Sequence, residues 1–82
     1  MPTILLIAGW RFFFYANEGN EPIHIHVQKA EMDGKFWLKV DEYEITEAYT
    51  YNFSPAAKKE IRKIIFEHFD YIVNEWNNFF KK

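Results

Sequence analysis

The chain contains no cysteine, which excludes a disulfide framework and any thiolate metal cluster and leaves histidine and carboxylate as its only strong metal ligands. With three glycines and three prolines in 82 residues, there is no flexible linker, low-complexity tract or internal repeat. Neither sign of charge dominates: ten Lys and Arg stand against twelve Asp and Glu, for a net charge of -2. A dedicated nucleic-acid binder usually carries a basic excess, so the global balance argues against that role while allowing a local patch. Long apolar runs are missing too. The stretch from Ile4 to Ala8 is too short for a membrane span or signal sequence and follows no basic segment, so no membrane association is expected and a cytoplasmic location is.

What the chain has in excess is aromatic surface, 21% of its residues. Eighty-two residues suffice for one small domain with one core, and large rings help such a core bury enough area to offset chain entropy. Residues 3–8 and 10–16 are β-rich runs meeting at Ala8-Gly9, which reads as a tight hairpin. Residues 17–22 form a polar loop of turn formers. A strand follows from Ile23 to about Lys29, and Glu31-Met32-Asp33-Gly34 is expected to close a second hairpin onto Lys35–Val40. Along that last run Phe36, Leu38 and Val40 alternate inward and Lys35, Trp37 and Lys39 outward. Residues 41–53 carry Asp41, Glu42, Glu44 and Glu47 with no base, and fit either an edge strand or a short helical turn.

Ser54-Pro55 opens a helix, with serine as N-cap and proline at the first position, where its missing N–H costs nothing. From Ile61 through Ile64, Ile65, Phe69, Ile72, Val73 and Trp76 to Phe79 and Phe80, apolar residues recur at spacings of three and four. One long helix over 54–82 is therefore predicted, its negative end complemented by Lys81 and Lys82. The expected architecture is α+β: an antiparallel sheet of about four strands, made from two hairpins, packed against one long C-terminal helix.

Two mismatches in that arrangement point to a partner. Trp10, Phe12 and Phe14 occupy one face of the second strand, while Arg11, Phe13 and Tyr15 occupy the other, so both faces are apolar although one helix covers only one. A helix from about residue 55 to 81 would also span roughly 40 Å against roughly 20 Å of strand, leaving Trp76, Phe79 and Phe80 overhanging. Phe13, Tyr15, Trp76, Phe79 and Phe80 are thus candidate interface residues of a homodimer or of a complex with a small protein.

The chemistry-bearing segment is Pro22-Ile23-His24-Ile25-His26-Val27-Gln28. Alternation puts His24, His26 and Gln28 on one strand face, the two imidazoles about 7 Å apart. Histidine is the side chain most ready to exchange a proton, bind a metal or meet phosphate near neutral pH. Three uses compete. Two histidines at i and i+2 can reach one ion, but the only third ligands in view are Asp41 and Glu21, and no HExxH motif accompanies them; neither a metal nor another cofactor is expected. The pattern H-φ-H-φ-Q resembles the transferase branch of the histidine-triad superfamily, which implies His26 as nucleophile toward phosphorus and Gln28 as a phosphoryl contact. Finally, His24, His26, Gln28, Lys35, Trp37 and Lys39 share one face, a mixture of proton-transfer groups, cations and a stacking ring that suits RNA, with Glu21 at its rim. A metal-independent ribonuclease needs no more than these, with His24 and His26 as catalytic groups. Polar residues on a half-solvated sheet also arise with no function at all. Nearby cations should depress the histidine pKa values below about 6.5 unless Asp41 or Glu21 compensates. His68, on the helix's apolar stripe, reads as a hydrogen-bonded boundary residue.

The segments MPTILLIAG, RFFFYANEGNEPIHIHV, GKFWLKV, EIRKII and NEWNNFF resemble the small bacterial and archaeal family known as domain of unknown function 4160, over essentially the whole chain. Glu21, Pro22, His24 and His26 match the family's motif, and Ile23 stands where many members have a second proline. The resemblance implies a partner encoded nearby, as in toxin–antitoxin pairs, and no established reaction. The expectation is a component of such a two-gene module, acting through protein association with RNA as a further contact. The alternative is a metal-independent phosphodiesterase or nucleotidyl transferase.

Overall fold

The computed structural model describes residues 3–80; Lys81 and Lys82 lie outside the described residues. Five antiparallel strands form a meander in sequence order: β1 (Thr3–Ile7), β2 (Trp10–Phe13), β3 (His24–Lys29), β4 (Met32–Lys39) and β5 (Glu44–Tyr51). Two helices, α1 (Pro55–Glu67) and α2 (Phe69–Phe79), cover one face. The α+β class holds, with one more strand than expected and with the single helix divided in two.

The first hairpin turns at Ala8 and Gly9, both at positive φ (52° and 82°), a conformation glycine adopts without strain. The second turns earlier than predicted. Ala30, at φ 54°, and Glu31 make the connection, so Met32 and Asp33 belong to β4 and Gly34 lies inside that strand opposite Val27. Turn composition misled here, because Gly34 serves packing instead: a Cβ at that position would lie 3.2 Å from the Phe53 ring and 3.3 Å from the Tyr49 carbonyl oxygen. Phe53 thereby reaches the core and stacks on Trp10 at 5.5 Å. Val40, expected inward, falls in the β4–β5 turn and is exposed.

Residues 44–51 resolve the ambiguity of the acidic segment in favour of an edge strand. β5 pairs with β4 along its length, with a register shift opposite Lys35/Phe36, and contributes Ile45 to the core. It extends the sheet and does not fold over the second face.

Ser54 caps α1, its Oγ accepting the Ala57 N–H at 3.0 Å, with proline following. At His68 the backbone leaves helical geometry (φ -119°, ψ 21°). Its N–H is shared between the Ile64 and Ile65 carbonyls, and its Nδ1 donates to the Ile64 carbonyl at 3.0 Å, so this residue acts as the boundary histidine expected of it. The break turns the second half of the apolar stripe back onto the sheet's end. Trp76 packs edge-on against Phe14 at 5.1 Å and near His24 at 4.8 Å, and Phe80 lies against Gly19 and Trp76. The predicted overhang is thus absorbed within the chain: Trp76 is buried, Phe80 is half-buried and Phe79 alone of the three is exposed.

The core consists of Trp10, Phe12, Phe14, Ile25, Val27, Phe36, Leu38 and Ile45 from the sheet and Ile61, Ile64, Ile65, Phe69, Ile72 and Trp76 from the helices. At about 1.5–3 kcal/mol per fully buried large side chain, this face supplies most of the folding free energy. No helix among the described residues is long and apolar enough to cross a membrane.

Candidate functional site

On the sheet face opposite the helices, strand register aligns Phe13, His26, Lys35 and Tyr49 in one row, with His24 beside Trp37 in another. Arg11, Gln28, Asp33 and Tyr51 make a third. The predicted grouping of His24, His26, Gln28, Lys35, Trp37 and Lys39 on one face is therefore correct.

Their exposure is not as predicted. His24 is fully buried and His26 is 3% exposed, because the loop between β2 and β3 folds back across this face and lowers Glu18 onto both rings. Glu18 Oε1 lies 2.9 Å from His24 Nε2, and the two Glu18 oxygens each lie 3.0 Å from His26 Nε2. The turn presenting Glu18 is locked from within: the Glu18 N–H donates to the Tyr15 carbonyl, the Tyr15 N–H donates to Glu18 Oε1, and the Glu21 N–H donates to the Glu18 carbonyl. The imidazole centroids are 5.1 Å apart and nearly perpendicular.

Aromatic rings wall the cluster. Phe13 stacks on His26 at 5.4 Å, Tyr15 meets it edge-on at 4.6 Å, and Trp37 and Trp76 flank His24. Phe13 is itself buried, beneath the Arg11 guanidinium 4.5 Å from its ring centroid. Of the apolar second face, one of the two features that suggested a partner, Phe13 is thus covered by the chain's own side chains, while Tyr15 stays exposed. His24 Nδ1 donates to the Pro22 carbonyl at 2.9 Å, and the Tyr49 hydroxyl sits 3.5 Å from His26 Nδ1, at the outer limit of a hydrogen bond.

Burial shapes the electrostatics. Desolvation lowers the His26 pKa below its ordinary 6.5; the Glu18 hydrogen bond and charge oppose this, while repulsion from His24 and Lys35 adds to it. The direction agrees with the sequence reading, but the principal cause is burial and not neighbouring cations. For Glu18 desolvation works upward, yet hydrogen bonds from His24, His26 and the Tyr15 N–H, with the His24 charge, together outweigh it and hold the carboxyl below its ordinary 4.5. Burial raises the Tyr49 hydroxyl, and the carboxylates of Asp33 and Glu18 add to the effect.

The other predicted contacts have separate roles. Lys35 Nζ lies 2.7 Å from Glu21 Oε1 and 4.4 Å from the Trp37 ring centroid, so this cation is already engaged. Gln28 and Lys39 are exposed. Asp41 is exposed in the β4–β5 turn, outside the cluster. The residue that sequence reasoning missed is Glu18. Hidden within a loop of turn formers, it had as its only signal its place in the FFFYANEGNEPIHIHV block, six and eight residues before the histidines. Glu18, His24 and His26 each offer a ligand atom, all within 4.8 Å of one another. This overturns the ground on which a metal was discounted, namely that no third ligand accompanied the histidine pair.

Fold and site together define a small α+β protein whose five-stranded meander carries its helices on one face and a buried His–Glu–His centre on the other. The chain belongs to the family described as domain of unknown function (DUF4160), whose model matches residues 9–77. No curated protein and no solved structure matches it.

Proposed function

We propose that this protein is an association module, one half of a two-gene pair of the toxin–antitoxin kind, which binds its partner through the open face of the sheet. The carrying observation is the composition of that face beyond the Glu18 loop. Arg11, Trp37 and Tyr49 are half-exposed and Tyr51 is 59% exposed, the Tyr49 and Tyr51 rings lie 5.3 Å apart, and both helices sit on the opposite side. Tyrosine, tryptophan and arginine are the residues that concentrate binding energy at protein interfaces. A net charge of -2, with Lys35 engaged by Glu21, favours a protein over a polyanion as the occupant. The partner expected from the family resemblance is the small protein encoded nearby; a second copy of this chain would use the same face.

The alternative of a phosphodiesterase or nucleotidyl transferase requires His26 Nε2 to reach phosphorus. That nitrogen is occupied by both oxygens of Glu18, and its ring is enclosed by Phe13 and Tyr15. Loop 14–22 would have to lift for such chemistry to begin.

Coexpression with the product of the adjacent gene, followed by size-exclusion chromatography, tests the association. A comigrating complex with this chain, abolished by Tyr51→Asp, is the expected result. Elution of both proteins as separate monomers with no self-association in sedimentation overturns it, and nucleic acid in the eluted peak in place of a protein replaces it with the RNA reading.

A further inference from the structure

We infer that Glu18, His24 and His26 form a binding site for one divalent cation of the zinc class, which pins the β2–β3 loop to the sheet. This rests on the hydrogen-bond capacity of His24 and is independent of the association reading. A backbone carbonyl can only accept, so His24 Nδ1, 2.9 Å from the Pro22 carbonyl oxygen, must carry a hydrogen. In the neutral ring the other nitrogen, Nε2, then presents a lone pair. Yet Nε2 faces Glu18 Oε1 at 2.9 Å, where a carboxylate presents lone pairs as well. Two lone pairs do not meet at that distance, so a positive centre must lie between them: either an extra proton or a cation.

Three features favour the cation. The first is convergence. Glu18 also faces His26 Nε2, with both oxygens at 3.0 Å, so two imidazole nitrogens and one carboxylate are directed at a single point. Two ligand atoms set at the tetrahedral angle about 2.1 Å from one ion are about 3.4 Å apart, so the contacts of 2.9 and 3.0 Å found here would open by a few tenths of an ångström to admit it. The second is the outer support. Metal-bound histidines almost always donate the remaining ring N–H to a carbonyl, carboxylate or similar oxygen, which fixes the tautomer. His24 does so to Pro22, and the Tyr49 hydroxyl stands beside His26 Nδ1. The third is placement: the two histidines are rigid residues of β3, buried among aromatic rings, and Glu18 comes from a turn closed by its own hydrogen bonds. Two imidazoles and a carboxylate, with no cysteine in the chain, suit a borderline ion such as zinc and leave a coordination position for water. Glu18, the most exposed of the three at 12% of its side chain, marks the side on which that water would enter.

Metal uptake by the stripped protein separates the two readings by measurement. Full-length protein stripped with chelator and dialysed is titrated calorimetrically with Zn2+ at pH 7.5 in two buffers of different ionisation enthalpy, and in parallel with Co2+ followed by visible absorption. The expected result is saturation at one equivalent, and Co2+ ligand-field bands that Zn2+ abolishes. Glu18→Gln should weaken Zn2+ binding at least 10-fold while His68→Ala leaves it unchanged. Folded wild-type protein giving no saturable binding would overturn the inference and leave an imidazolium–carboxylate pair. Binding that survives Glu18→Gln and the double change His24→Ala with His26→Ala, but not His68→Ala, overturns it equally.

Discussion

The two faces of the sheet are held by different physics, although both bury side chains and both are rich in rings. Toward the helices, Phe12, Ile25, Val27 and Phe36 meet Ile61, Ile65 and Ile72 with no polar side chain among them. This packing is non-directional and indifferent to pH. On the far side, Phe13, Tyr15 and Trp37, joined at the sheet's end by Trp76 of α2, surround three ionisable groups whose positions are fixed by hydrogen bonds and whose charges depend on one another. The helix side carries stability, and the far side carries specificity of protonation and ligation. A fold that needed only stability could place leucine where His24 is, because burying a polar cluster stabilises no better than well-packed apolar side chains of similar volume. Its presence in the centre of a small sheet is what marks the site.

The contrast can be broken most severely from the apolar side. Phe36→Ala should cost about 3–5 kcal/mol, the usual loss for a fully buried phenylalanine, and the loss, read from urea midpoints, should be the same at pH 8 and pH 5.5. Glu18→Gln should cost less, about 1–3 kcal/mol in the metal-free protein, since it replaces charge-assisted hydrogen bonds by neutral ones and weakens the hold on both rings.

Acidity sharpens the comparison further. His26 has a depressed pKa in the folded state, so below about 6.5 the unfolded chain binds a proton that the folded chain refuses, and stability falls as pH drops through that window. Glu18 is depressed as well: its contribution is complete above 4.5 and is lost as pH falls through its folded value. The two act in the same direction. Metal-free wild-type protein should therefore lose stability in two acid steps, of which Glu18→Gln removes the lower. The smallest effect belongs to Ser54→Ala, which removes the α1 cap at a cost of about 1 kcal/mol and alters neither step.

Legibility from sequence divides along the same line. Strands β1 to β3, the Ala8-Gly9 turn, the Ser54-Pro55 helix start and the apolar stripe all follow from local periodicity and turn chemistry, because each is decided by neighbours in the chain. Gly34 was misread because its role is set by Phe53, nineteen positions away, and not by a turn. The break at His68 carries neither proline nor glycine; it follows from the need to bring Trp76 and Phe80 back onto Phe14. The histidine pair announced itself through alternation, but its burial did not, because that depends on where a polar loop closes. Glu18 was invisible for the same reason. Of two acidic residues in that loop, only three-dimensional closure decides that Glu18 meets the imidazoles while Glu21 takes Lys35.

Nitrogen-15 NMR of the imidazole rings in chelator-treated protein, before and after one equivalent of Zn2+, tests the unity of this centre most directly. The Nε2 resonances of His24 and His26 should shift together and saturate at one equivalent, with His68 unmoved. A response confined to His68, or none from the pair, would contradict a shared Glu18–His24–His26 metal site.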